Sequence, residues 1–181
     1  MISENGSIKS YKMADYNLDQ IRTGKYILRM EQLYPEAKNK MACDTLWTQL
    51  KKQPRTKQGV WFHKAIYANQ VWLDGIFMGL PFYTNYAKTY LDGENATKAQ
   101  KKQAKKIYDD VAMQIAKTDQ FTYDAKTELW KHAWDEKHSI FWANPETGLS
   151  QHTWGRALGW YAMAIVEVLD ALPQDYAKRG E

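Results

Sequence analysis

The sequence predicts an all-α chain of five or six helices, and three observations carry that prediction. Apolar residues recur at roughly helical spacing in several separate stretches, so that each presents one apolar face. Pro35, Pro54, Gly59 and Pro173 fall at the ends of those stretches, where helices stop. No stretch gives convincing evidence of a sheet.

The first helix is expected over residues 18–34, where Leu18, Ile21, Ile27, Leu28 and Leu33 share a face and Pro35 marks a boundary after Tyr34. A second follows at about 36–51, with the stripe Cys43, Leu46, Trp47 and Leu50; Lys51-Lys52 suits its partly negative C-terminal end. Pro54 and Gly59 make 52–69 mostly loop. Between Gln70 and Tyr90 the chain is apolar and rich in helix formers, but Gly75, Gly79 and Pro81 interrupt it. A short helix, a kink or break near Pro81 and a second helical piece are expected there. Ala104, Ile107, Val111 and Ile115 give an amphipathic helix over about 95–117. Residues 118–152 have no helical period, and turn formers at Asp124, Asn144-Pro145 and Gly148 make them a long functional loop or a short hairpin. The last helix, about 154–171, carries Leu158, Tyr161, Ile165, Val168, Leu169 and Leu172 on one face and ends at Pro173.

Composition narrows the function. With 181 residues, 44% of them hydrophobic, the chain can bury one core, so residues 1–181 are read as a single domain. A mean hydropathy of −0.67 and the lack of any long apolar run exclude a membrane span, and 14% aromatic residues argue against disorder. The net charge of +4 suits an anionic ligand. Lys98, Lys101, Lys102, Lys105 and Lys106 form a basic run that could touch nucleic acid, but no aromatic residue interleaves with it, so a solvated face and no nucleic-acid partner are expected. Cys43, the single cysteine, excludes a disulfide framework or a multi-cysteine zinc site and reads as a buried, inert thiol. The N-terminus has no basic segment leading into an apolar one, so the chain as written is expected in the cytoplasm; a signal lost with a longer N-terminus would not show.

Several polar residues sit where a purely structural helix would not need them. Asp74 lies inside the apolar run Gln70–Met78; it is either a hydrogen-bonded cap or a partly desolvated acid with its pKa raised toward a proton donor's range. Trp72, Asp74 and Met78 would set an aromatic, an acid and a soft apolar group around one helix end, which fits a sugar pocket or plain core. Trp154-Gly-Arg-Ala-Leu-Gly-Trp160 opens the last helix. Its Arg156 could clamp a carboxylate between stacking rings or simply pack by cation–π contact, and its two glycines permit close approach of a backbone or ligand. His63 and His132 read as hydrogen-bond donors beside aromatics, and Asp19 as a helix cap. His132 and His138, with Asp135 and Glu136, match no familiar metal spacing.

Taken in order, Asp19–Lys25, Pro54-Arg-Thr56, Trp61-Phe-His-Lys64, Val71–Gly75 with Met78 and Pro81-Phe82, His132-Ala-Trp-Asp-Glu136, and Trp154-Gly-Arg156 with Gly159-Trp-Tyr161 resemble glycoside hydrolase family 105, the unsaturated rhamnogalacturonyl hydrolases. The resemblance covers nearly the whole chain. It implies an (α/α)6 toroid of helical hairpins, of which this chain is about half, the central portion, lacking helices before Asp19 and after the last helix. Self-association to complete the barrel is then expected, because a half-barrel exposes apolar helix faces. The implied partner is an unsaturated pectic oligosaccharide, and the implied reaction is hydration of the C4=C5 double bond of its terminal galacturonate, without metal or organic cofactor. By motif, Asp74 matches the general acid/base and Asp19 the second carboxylate, while His63, Trp72, Met78, His132, Trp154, Arg156 and Trp160 match residues lining the pocket. The related family 88 unsaturated glucuronyl hydrolases, and an inactive remnant that only binds oligosaccharide, are the alternative readings.

Overall fold

Among residues 2–180, which the computed structural model describes, the helical spacings resolve into α1 (Gly24–Leu33), α2 (Ala37–Lys52), α3 (Leu73–Tyr90), α4 (Lys98–Thr122) and α5 (Gly155–Ala171). The chain is accordingly mainly helical. α1 and α2 form a hairpin, and the stripe expected on α2 is seated as expected: Cys43, Leu46 and Leu50 are buried, and Trp47 stacks on Tyr86. Burial pushes the Cys43 thiol up to about 12.

α3 is the central element. It is buried on nearly every side and packs most extensively on α5, then on α4, with α1 and α2 closing the remaining faces. The expected break at Pro81 does not occur, and the helix runs unbroken through it. An interior proline costs roughly 3 kcal/mol, but Leu80, Phe82 and Tyr83 are buried beside it, each side chain contributing about 1.5–3 kcal/mol. The packing therefore holds a helix that local propensity would break.

α4 opens on a capping box between Thr97 and Gln100 and continues to Thr122, past the expected end, with the five lysines exposed. α5 buries Tyr161 and Val168 of the expected face, with Leu172 just past its end, but completes the buried face with Ala157, Ala164 and Ala171. Small alanines let α5 approach α3 closely, and that closeness outweighs the larger side chains, so Leu158, Ile165 and Leu169 end half-buried. Apolar side chains remain exposed on α1 (Tyr26, Met30, Leu33) and on α5 (Met163, Val166). Among the described residues, no helix is long and apolar enough to cross a membrane.

Two small antiparallel sheets correct the expectation of no sheet. β1 (Gln70–Trp72) pairs with β4 (Ala133–Asp135), setting Val71 opposite Trp134, and β2 (Tyr123–Asp124) pairs with β3 (Leu129–Trp130). Strands of two or three residues are too short to show a period. They decide the site all the same: β1 runs straight into α3, and Leu73 N–H at that junction donates to the His132 carbonyl (3.1 Å).

Candidate active site

The junction of β1 and α3 places Asp74 in the first turn of α3, where free N–H groups and the helix dipole favour a negative charge. The residue just before β4, His132, lies beside it, with Nε2 3.1 Å from Asp74 Oδ2, and the start of α5 brings Arg156 Nε to 3.9 Å from Oδ1. The Asp74 carboxylate is mostly buried while Arg156 is largely exposed. Burial pushes the Asp74 carboxyl up, but the hydrogen bond and charge of His132, its own backbone N–H and His63 outweigh that push and hold it below the usual carboxylate range. This corrects the raised value expected from the apolar sequence neighbours: the deciding neighbour, His132, lies 58 residues away.

A second histidine–aspartate pair stands behind the first. Asp19 is not the expected cap; Asn17 takes that role by accepting from the Asp19 N–H (2.9 Å) in a 3-10 turn at Leu18–Gln20, and the first α-helix starts only at Gly24. The freed Asp19 carboxylate reaches His63 Nε2 (3.3 Å) and Lys64 Nζ (2.6 Å). His63 is 3% exposed, and burial lowers its pKa from the ordinary histidine value, so the ring is neutral beside the Asp19 carboxylate. Gly75 makes this geometry possible: a Cβ there would stand 2.8 Å from His63 Nδ1.

Trp72 joins the two pairs. Its ring stacks on His63 (5.1 Å, 7°) and on Tyr67 (5.0 Å, 3°), meets His132 edge-on (5.1 Å, 67°), and its Nε1–H donates to Gln70 Oε1 (3.0 Å). Beyond His132 opens a cleft of about 390 Å³, within the roughly 300–1,000 Å³ typical of small-molecule sites. It is walled by Trp72 and by Phe141, Trp142, Ser150, Gln151 and His152.

Of the residues singled out from sequence, the fold thus gathers Asp74, His132, Arg156, Trp72, His63 and Asp19. Trp154 joins them at the rim, half exposed, with the Arg156 guanidinium over its ring at 5.4 Å. Met78 is half-buried against the core, and Trp160 stacks on Phe77 (4.5 Å, 13°). Gly155 and Gly159 face open space, with no described atom beyond their own chain neighbours and helix backbone within 4 Å of a Cβ at either, so no other backbone approaches them there. Among the described residues no three histidine, cysteine or acidic side chains converge as metal ligands would; Asp135 accepts from the N–H groups of Lys137, Ser139 and Ile140. Lys64 enters the sequence argument only as the end of the Trp61–Lys64 motif, and Tyr67, three residues further on, not at all. The Phe141–His152 wall falls within residues 118–152, expected as a long functional loop or a short hairpin, but with no periodicity to find, none of its residues is singled out for the site.

Arg55 and Trp61, part of the resemblance, turn out to anchor this arrangement. Arg55 forks onto Asp110 of α4 through two 2.7 Å bonds, and Trp61 N–H donates to Gln114 (3.1 Å), pinning the 53–69 loop that carries His63 and Lys64.

A family model described as Glycosyl Hydrolase Family 88 matches residues 1–181. Among solved structures, a family 105 glycoside hydrolase from C. acetobutylicum superposes with a TM-score of 0.89 at 39% identity, over 98% of this chain and 46% of that one. A possible family 105 member from Klebsiella pneumoniae shares the fold, with a TM-score of 0.70 at 18% identity over 90% of this chain and 39% of that one. Among curated sequences, Protein Atu3128 of Agrobacterium fabrum is 37% identical over 100 residues, 55% of this chain and 37% of that protein. The chain thus spans less than half the length of each.

Proposed function

The chain belongs to Glycosyl Hydrolase Family 88, and on that premise we propose that its site releases an unsaturated galacturonate from the non-reducing end of rhamnogalacturonan oligosaccharides by hydrating the C4=C5 double bond. The observation that carries the reading is a mostly buried Asp74 carboxylate within reach of His132 and Arg156, beside an aromatic face. Arg156 and His132 supply the positive and donor groups a uronate carboxylate needs, and Trp154 and Trp72 supply flat surfaces for its ring.

Asp74 is an ionised carboxylate before substrate arrives. A uronate carboxylate beside it adds negative charge and expels water, and both changes push its pKa up, so Asp74 takes up a proton as substrate binds. The acid then gives that proton to C4, leaving an oxocarbenium ion at C5 stabilised by the ring oxygen. Water adds its oxygen to C5 and returns a proton to Asp74. The C5 hemiketal opens to a ketone, and the resulting hemiacetal at C1 collapses to an aldehyde and frees the next sugar with its hydroxyl. The separation rule for ordinary two-carboxylate glycosidases does not govern this chemistry. Asp19 acts at one remove, by orienting His63 behind Trp72.

The test is loss of the alkene's ultraviolet absorbance on unsaturated galacturonosyl-rhamnose, with light scattering on the same sample and Asp74→Asn as control. Turnover that Asp74→Asn abolishes is the expected outcome; a folded, self-associated or monomeric sample with no turnover sinks the reading for this chain. The family 88 match favours a second reading, unsaturated glucuronyl hydrolysis of glycosaminoglycan fragments, and faster turnover of that disaccharide in a side-by-side assay would select it.

A further inference from the structure

Phe141 is an anomaly of the described surface. Its side chain is 90% exposed, although burying a phenylalanine contributes about 1.5–3 kcal/mol. It does not sit on a slack loop. On one side the Asp135 carboxylate accepts the N–H groups of Lys137, Ser139 and Ile140 at 3.2, 2.8 and 3.1 Å. On the other, Ala143 N–H donates to Ile140 O (3.0 Å), Asn144 N–H to Leu149 O (2.8 Å) and Trp134 Nε1–H to Thr147 O (3.0 Å). Gly148, at φ +74°, closes the loop where a Cβ would meet the Asp135 carbonyl at 2.2 Å. A ring held out to solvent on so fixed a frame is pre-organised for contact with something outside the described fold.

Where it points narrows the ligand. Phe141 walls the same cleft as Trp72 and His132, so the cleft is continuous with the Asp74 site through His132. No lysine or arginine lines it; Ser150, Gln151 and His152 do. A uronate carboxylate has its cation at Arg156, next to Asp74, and not here. The cleft therefore fits a neutral ring: hydroxyls toward the polar wall and an apolar face on an aromatic. We infer that Phe141 is the platform on which the second sugar, the one released, stacks, which makes it a determinant of leaving-group preference. The inference rests on the function proposed above.

The experiment uses the Asp74→Asn chain so that ligands are not consumed, and titrates tryptophan fluorescence with two probes: the methyl glycoside of unsaturated galacturonate, which has one ring, and unsaturated galacturonosyl-rhamnose, which has two. Phe141→Ala should weaken the two-ring ligand about tenfold, the weight of roughly 1.4 kcal/mol, and leave the one-ring ligand unchanged, while Phe141→Trp keeps both. Equal loss on both probes, or none on either, overturns the platform while leaving the proposed function standing. Binding of neither probe by the Asp74→Asn chain overturns both readings. A fall in assembly mass or melting temperature in Phe141→Ala, with affinities untouched, assigns the ring to a protein contact and also overturns it.

Discussion

Two histidine–aspartate pairs, nearly equal in length, are desolvated in opposite senses. In His63–Asp19 (3.3 Å) the imidazole is buried, with 4% of its side chain exposed, and the acid is 41% exposed; in His132–Asp74 (3.1 Å) the acid is 12% exposed and the imidazole 28%. Where the ring is buried, desolvation keeps it neutral and the pair serves as a close polar contact behind Trp72. Where the acid is buried, the solvent-reachable His132, the acid's own backbone N–H and His63 together outweigh desolvation, with His132 the largest of the three, so the ionisation of Asp74 responds to whatever displaces or joins that histidine. Contact type alone therefore does not assign a role; the side of the pair that lost its water does.

The sharpest way to break the comparison is Asp74→Asn, which keeps the shape and removes the proton. It should lower turnover by about 10²–10⁴-fold and lower the melting temperature at neutral pH by no more than acidification through the Asp74 window removes from the wild type, whereas Asp19→Asn, acting only through His63, should cost far less in turnover. Next in size is Gly75→Ala. Its Cβ would crowd His63 Nδ1, and overpacking of this kind costs roughly 1–3 kcal/mol, readable as a lower midpoint in urea.

A pH series of melting temperatures sharpens the contrast further. The folded His63 binds its proton less readily than the unfolded chain, whose value is near 6.5, so its stabilisation is full above that pH and is lost as pH falls through the folded value. Asp74 is also lowered, so its contribution is full above the unfolded carboxylate value of about 3.9 and is lost as pH falls through the folded value. Stability should thus fall on acidification in two windows, and His63→Phe should remove the upper one only. The smallest effect is expected from Lys64→Met. Its ion pair with Asp19 is partly exposed, such pairs contribute about 0–1 kcal/mol, and urea unfolding should register no more than that.

Much of the fold was legible because helices report themselves locally. The stripe of α2, the apolar and basic faces of α4 and the stop at Pro173 are written in residues a few positions apart. The misreadings share one cause. Pro81 reads as a break until α4 and α5 are packed beside it, the buried face of α5 was chosen by its approach to α3, and β1 and β4 are invisible as single strands because each is defined by the other. The site divides in the same way: residue types and motif order single out Asp19, Asp74, His63, Trp72, His132 and Arg156, yet the local reading of Asp19 as a cap and the raised-pKa alternative for Asp74 fail once their partners are in place.

By itself the sequence determined the helical class, the family and the reactive residue types, since periodicity, capping and motif order are properties of neighbours along the chain. Only the tertiary structure decided which groups face one another, which lost their water and hence which way each proton leans. Those depend on distances between residues such as Asp74 and His132 that 58 positions of chain separate, and on burial that no single segment contains.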